Sequence, residues 1–171
     1  MATLESRVSR FEDKSDNLMA RDIFRKLRDD FKPILAAHAT RETIREAPFI
    51  ADDMGCKLEG ILKVQDLMAL SEGKDLSGLS RDDLRSFHRA DLVMRVSDQR
   101  GVESYIAVEI SYTVSERDTT RAIRNAEYLE RFTGRPARAA VVGLRRDRKI
   151  EDIEPDEVFW YELPESILEV E

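Results

Sequence analysis

The sequence predicts an α/β fold, a mixed β-sheet flanked by helices, and three consecutive stretches carry that prediction. Asp91–Val96 and Tyr105–Tyr112 are rich in β-branched, aromatic and aliphatic residues. The turn-rich Ser97–Val102 separates them, with Gly101 near its end, so the pair reads as an antiparallel hairpin. Residues 114–133 place Ala122, Ile123, Ala126, Leu129 and Phe132 at helical spacing. Capping-box signatures at Thr113–Glu116 and Ser115–Asp118 open that helix, and Gly134 as C′ and Pro136 close it. Ala137–Val142 then reads as a strand buried on both faces, as parallel pairing requires. Strand, helix and strand in this order form a crossover unit.

The remaining elements follow from the N-terminus. Leu4, Val8, Phe11, Ser15 and Leu18 fall at alternating spacings of four and three, so residues 1–18 are expected to form a helical, coiled-coil extension. Helical spacing continues through Ala20, Phe24, Leu27, Phe31, Ile34 and Leu35 in a shifted register. This second run is expected to pack on the sheet as the first helix of a domain covering 19–171, with Pro33 kinking or closing it. Thr40–Thr43 can cap a short helix limited by Pro48. Lys57–Val64 suits a first strand despite Gly60, Val64–Leu70 a helix, and Leu76–Leu79 a loop. Ser80-Arg81-Asp82-Asp83 opens a short helix reaching about His88. Glu157–Leu163 is an edge-strand candidate ended by Pro164.

Composition sets bounds. A chain of 171 residues with 42% hydrophobic residues supports one domain with a sizeable core and a short appendage. No apolar run is long enough to span a bilayer, so no membrane association is expected. Met1–Glu5 lacks the basic and apolar regions of a signal peptide, and a single Cys56 fits a reducing compartment; a cytoplasmic protein is expected. Cys56, His38 and His88 make no zinc-ligand pattern. Gly-rich phosphate loops and Ser/His/Asp elbows are absent from the sequence. The net charge of −7 argues against bulk affinity for nucleic acid, but its distribution is uneven. Tyr112–Lys149 carries ten basic and five acidic residues, whereas Ile150–Glu171 carries nine acidic and no basic ones.

One residue breaks the hydrophobic pattern. Glu109 lies inside the apolar run Tyr105–Tyr112, where an ionised carboxylate is costly without a partner. If the hairpin loop centres near Arg100, paired positions sum to about 200, and Asp91 stands opposite Glu109 or one position away. Two carboxylates that close repel unless a proton or cation lies between them. Such a pair, completed by water, suits Mg2+ or Mn2+. On the following helix, Arg117, Arg121 and Arg124 project at i, i+4 and i+7, as candidate phosphate-binding residues.

An Asp at the start of one strand followed by Glu-x-Lys at the end of the next is the PD-(D/E)XK motif. Here it reads Asp91…Glu109-Ile110-Ser111. Over residues 89–143 the chain resembles the restriction-endonuclease-like superfamily, within it a group of prokaryotic proteins that join an N-terminal coiled coil to such a domain. The resemblance implies an α-β-β-β-α-β core, Asp91 and Glu109 as metal ligands, and Ser111 at the third catalytic position, where the superfamily usually has Lys. It also implies an acidic residue from the first helix; Asp22, Asp16 and Asp29 are candidates that nothing local separates.

The expected function is therefore that of a Mg2+- or Mn2+-dependent phosphodiesterase acting on DNA, with Ser in place of the motif Lys. The alternative is a catalytically silent nuclease-fold protein serving as an oligomeric scaffold for nucleic acid or protein. In either case the seam Leu4, Val8, Phe11 and Leu18 is expected to pair with a second copy as a homodimer.

Overall fold

The structure, a computed structural model, describes residues 4–165, apart from the side chains of Leu4, Glu5 and Phe11. The chain is α/β. Helix α1 (Leu4–Asp53) is followed by strand β1 (Lys57–Leu62), helices α2 (Val64–Ser71) and α3 (Arg81–His88), and strands β2 (Leu92–Ser97) and β3 (Glu103–Ile110). A short strand β4 (Thr113–Val114) leads into helix α4 (Glu116–Thr133) and strand β5 (Ala137–Gly143). A two-residue strand β6 (Arg145–Arg146), a 3-10 turn (Arg148–Ile150) and strand β7 (Phe159–Glu162) complete the described chain. The main sheet is mixed, in the order β1-β2-β3-β5-β7; β4 and β6 pair separately.

The sheet has two antiparallel steps, β1 on β2 and β2 on β3, then two parallel ones, β3 on β5 and β5 on β7. The β2–β3 register runs Leu92↔Val108, Val93↔Ala107, Met94↔Ile106, so paired positions sum to 200. Gly101, at φ +79°, supplies the left-handed turn that sets this register. Asp98 ties the turn together, accepting from the amides of Arg100 and Val102 at 2.8 Å each.

Two apolar layers enclose the sheet. Leu92, Met94, Val96, Ile106, Val108, Ala140 and Val142 pack against Ala39, Ala47, Ile50 and Ala51 of α1. On the other face, Val93, Tyr105, Ala107, Ala139 and Val141 pack against Ala122, Ala126, Leu129 and Phe132 of α4, with Phe87 of α3 and Leu67 of α2 beside them. Burial of each large side chain in these layers contributes about 1.5–3 kcal/mol.

The beginning of the chain departs from expectation. Helix α1 is one element of 50 residues and passes through both Pro33 and Pro48. Each proline removes one helical hydrogen bond, and both rings lie on exposed positions. The chain divides into compact units Met1–Ala37 and His38–Glu171, a boundary that falls within α1. Within the second unit, residues 39–51 pack on the sheet: burial of Ala39, Thr43, Ala47 and Ile50 at helical spacing offsets the bond lost at Pro48. In the first unit Val8, Leu18, Phe24, Leu27, Phe31 and Ile34 are exposed. Leu4 and Phe11 of the expected seam have side chains outside the described residues, as does part of the acidic C-terminal segment. None of the described helices is long and apolar enough to cross a membrane.

Candidate functional site

Strand period two sorts β3 into two faces. Ile106 and Val108 point to α1, while Tyr105, Ala107 and Glu109 point to α4. Glu109 therefore lies beneath a helix, 1% exposed, which is a costly place for a carboxylate. Its Oε1 accepts a hydrogen bond from Asn125 Nδ2 at 2.9 Å. Its Oε2 lies 3.0 Å from Arg121 Nη2, an ion pair without the alignment of a hydrogen bond, so Oε2 retains an unused lone pair. Arg121 and Asn125 are one helical turn apart on α4, and so reach the same carboxyl.

The expected partner is in place. Asp91 immediately precedes β2, and continuation of the register sets it opposite Glu109. Its Oδ2 accepts from the Ile110 amide at 2.9 Å, where the β2 ladder has ended. The two carboxyls thus belong to facing positions of adjacent strands. Burial, then the charge of Asp91, push Glu109 up to about 8 against the opposing pull of Arg121. Near neutral pH burial thus favours the protonated form of the Glu109 carboxyl.

Ser111 follows β3 and is half-buried. Its amide donates to the Val142 carbonyl at 3.0 Å and its Oγ donates to the Thr113 carbonyl at 3.0 Å. A Cβ at Gly143 would collide with the Ser111 carbonyl oxygen, so glycine there is a condition of the close passage of β5 past the end of β3.

The three arginines of α4 have different surroundings. Arg121 touches Glu109. Arg124 bridges to α3, donating to Asp83 Oδ1 at 2.9 Å and Ser86 Oγ at 2.8 Å, and lies over the Tyr128 ring. Arg117 is exposed, in the first turn of the helix. All three, with Arg89, Ser86, Glu116 and Thr120, line an open groove of about 680 Å³. Arg121 is thus shared between the groove and the carboxylate pair.

Two residues of this arrangement escaped sequence reasoning. Asn125 is fully buried with its Oδ1 unpaired. Its signal was available: it interrupts the apolar stripe of Ala122, Ala126 and Leu129 on the buried face of α4. Arg89, the C-cap of α3, had no pattern to mark it. Asp16, Asp22 and Asp29 are exposed residues of the Met1–Ala37 unit, and Asp22 lies 3.8 Å from Arg25.

Asp91 and Glu109 contribute carboxylates from adjacent strands, and Glu109 Oε2 and Asn125 Oδ1 are buried oxygens with unused lone pairs. Among the described residues no group of three or more His, Cys, Asp or Glu is placed to hold a metal. Two carboxylates alone could hold only an ion that keeps most of its own water, as Mg2+ does; they do not form a cage of protein ligands. Comparison with family models, with curated proteins and with solved structures finds no match for this chain.

Proposed function

We propose that the chain is a divalent-metal-dependent phosphodiesterase of restriction-endonuclease-like fold that acts on DNA. The observation that carries this reading is the pairing of Asp91 with the buried Glu109, linked through Arg121 to an arginine-lined groove. A core of apolar strands has no structural need for a carboxylate under α4, and perturbed acids in such settings mark functional sites. The element order, with α2 and α3 inserted between β1 and β2, also contains the α-β-β-β-α-β succession of that fold.

In this reading Asp91 and Glu109 hold Mg2+ or Mn2+, which when bound supplies a water of lowered pKa. Glu109 would serve as a ligand in its ionised form. Asn125 holds the Glu109 carboxyl in orientation through Oε1. Arg121, which lines the groove beside Glu109, would place a positive charge next to a phosphate lying there; as a permanent cation it stabilises charge and takes no proton. Ser111 orients water and carries no charge of its own.

A second reading has its own observation. Arg121 and Asn125 already engage both oxygens of Glu109, and the Ser111 hydroxyl is spent on Thr113. That pattern supports a silent nuclease-fold scaffold in which a guanidinium takes the cation's place. Incubation of the full chain with supercoiled DNA and Mn2+ separates the two. The first reading predicts nicking by the wild type that is lost in Asp91→Asn and Glu109→Gln. DNA left intact by all three, with no metal effect on stability, establishes the scaffold.

We also propose that the N-terminal helix pairs with the same helix of a second copy. Ile23, Phe24, Leu27, Phe31 and Ile34 fall on one side of the helix and are each 48–74% exposed. At on the order of 100 Å² each, they form a stripe larger than most monomers leave in water and comparable to one side of a standard interface. The expected solution mass at micromolar concentration is that of a dimer, reduced to a monomer by Leu27→Glu with Phe31→Glu. A monomeric wild type would contradict this.

A further inference from the structure

The four arginines of the groove fall into two pairs. Arg121 and Arg124 are held by the protein itself, the first by Glu109 and the second by Asp83 and Ser86. Arg89 and Arg117 are exposed, and among the described residues neither side chain has a hydrogen bond or an ion pair. They come from different elements, the C-terminal cap of α3 and the first turn of α4, yet line the same groove. One carboxylate, Glu116, shares the lining; with Asp83 and Glu109, which pair with Arg124 and Arg121, the four guanidiniums still outnumber the three acids, on a chain whose net charge is −7.

Both unengaged arginines are coupled closely to the carboxylate pair. Arg89 stands two residues before Asp91 on the same short connection. Arg117 stands one helical turn, about 6 Å along the axis, before Arg121. An extended polyanion with one phosphate at Asp91 and Glu109 would set a neighbouring phosphate against these two guanidiniums. A small anion needs only one such contact, whereas the groove, at about 680 Å³, is larger than a single phosphate requires.

We propose that Arg89 and Arg117 form a phosphate subsite that takes a backbone phosphate of a DNA strand, beside the phosphate presented to Asp91 and Glu109. The subsite supplies capture and register, and Arg121 and Arg124 form its fixed floor. This inference rests on the phosphodiesterase reading for the identity of the strand, but its test does not require hydrolysis or metal.

The test uses the full chain and a fluorescently labelled single-stranded oligonucleotide in EDTA, with binding followed by anisotropy across a salt series. Each phosphate contact contributes about 0.7 to the slope of log affinity against log salt for single strands. The double variant Arg89→Gln/Arg117→Gln removes the partners of one phosphate and is therefore expected to bind more weakly, with a slope lower by about 0.7. The control Arg145→Gln/Arg148→Gln removes the same charge from exposed positions outside the groove and is expected to keep the wild-type slope. Equal losses in the two variants, an unchanged slope in the groove variant, or no binding by the wild type would each overturn the subsite. So would inorganic phosphate that, at matched ionic strength, competes as well per phosphate as unlabelled oligonucleotide, since the ligand would then be a free anion. Melting temperature in Mn2+ keeps the two claims apart. A wild type without a Mn2+ shift defeats the metal reading and leaves the slope result standing, whereas a retained shift with an unchanged slope defeats only the subsite.

Discussion

The two faces of strand β3 meet different demands. Toward α1 it presents Ile106 and Val108 to a layer of alanine and isoleucine. Toward α4, beyond Tyr105 and Ala107, it presents Glu109, held by Arg121 and Asn125 with Asp91 alongside. The first face is explained by area removed from water. The second spends stability, since a buried acid near its neutral form and several buried polar atoms without hydrogen bonds oppose folding. A fold that needed only to be stable would place valine at 109. The contrast separates what holds the sheet together from what the sheet is built to present.

The largest expected effect lies on the apolar face. Ile106→Ala should lower unfolding free energy by about 2–5 kcal/mol, measured by urea denaturation, because the void beneath α1 has rigid walls. A loss much below 1 kcal/mol would show that this layer is loosely packed and would blur the contrast. Next comes the strand end that carries Ser111. Gly143→Ala puts a methyl group into the Ser111 carbonyl and should cost about 1–3 kcal/mol, with backbone adjustment at β3 and β4. Wild-type stability in this variant would mean that the close passage is relaxed in solution.

On the polar face the sign reverses. Glu109→Gln should leave the metal-free protein as stable as wild type or more so, by up to about 1–2 kcal/mol, the worth of about one pKa unit of relieved repulsion. The pH dependence sharpens this. The Glu109 carboxyl is raised from 4.5 to about 8, so between those pH values the folded state binds a proton that the unfolded state has released. Its contribution to stability is therefore full at acid pH and declines as pH rises from about 4.5 to about 8. The difference between wild-type and Glu109→Gln melting temperatures should follow that decline and level off above it. A difference independent of pH would place Glu109 as an ordinary ionised residue. The smallest effect belongs to the tie between α3 and α4. Arg124→Gln breaks a partly exposed pair with Asp83 and should cost about 0.5–1 kcal/mol.

Much of this arrangement was legible in the sequence because it depends on local signals. The hairpin register follows from one turn, and Gly101 fixes that turn within the chain segment itself. Helix α4 follows from Ser115 and Asp118 at its start and Gly134, at φ +67°, at its end. Arg121 was one of three arginines on one face; its meeting with Glu109 depends on how α4 rotates on the sheet, which spacing alone does not set. Asn125 was missed for the same reason, although a polar residue in an apolar stripe was the clue. The course of α1 was misread because Pro33 and Pro48 are local stop signals, whereas the burial that carries the helix past Pro48 comes from strands more than forty residues later.

The central claim is that Asp91 and Glu109 form a cation site. Thermal unfolding of wild type and Glu109→Gln at pH 8, with and without millimolar Mn2+, tests it most directly. A ligand that binds only the folded state raises its stability by mass action. The account predicts a Mn2+-dependent rise in melting temperature for the wild type, none for Glu109→Gln, and equal or higher stability of the variant without metal. No Mn2+ shift in the wild type, together with a Glu109→Gln variant that is clearly less stable, would contradict it and leave Glu109 as a structural partner of Arg121 and Asn125.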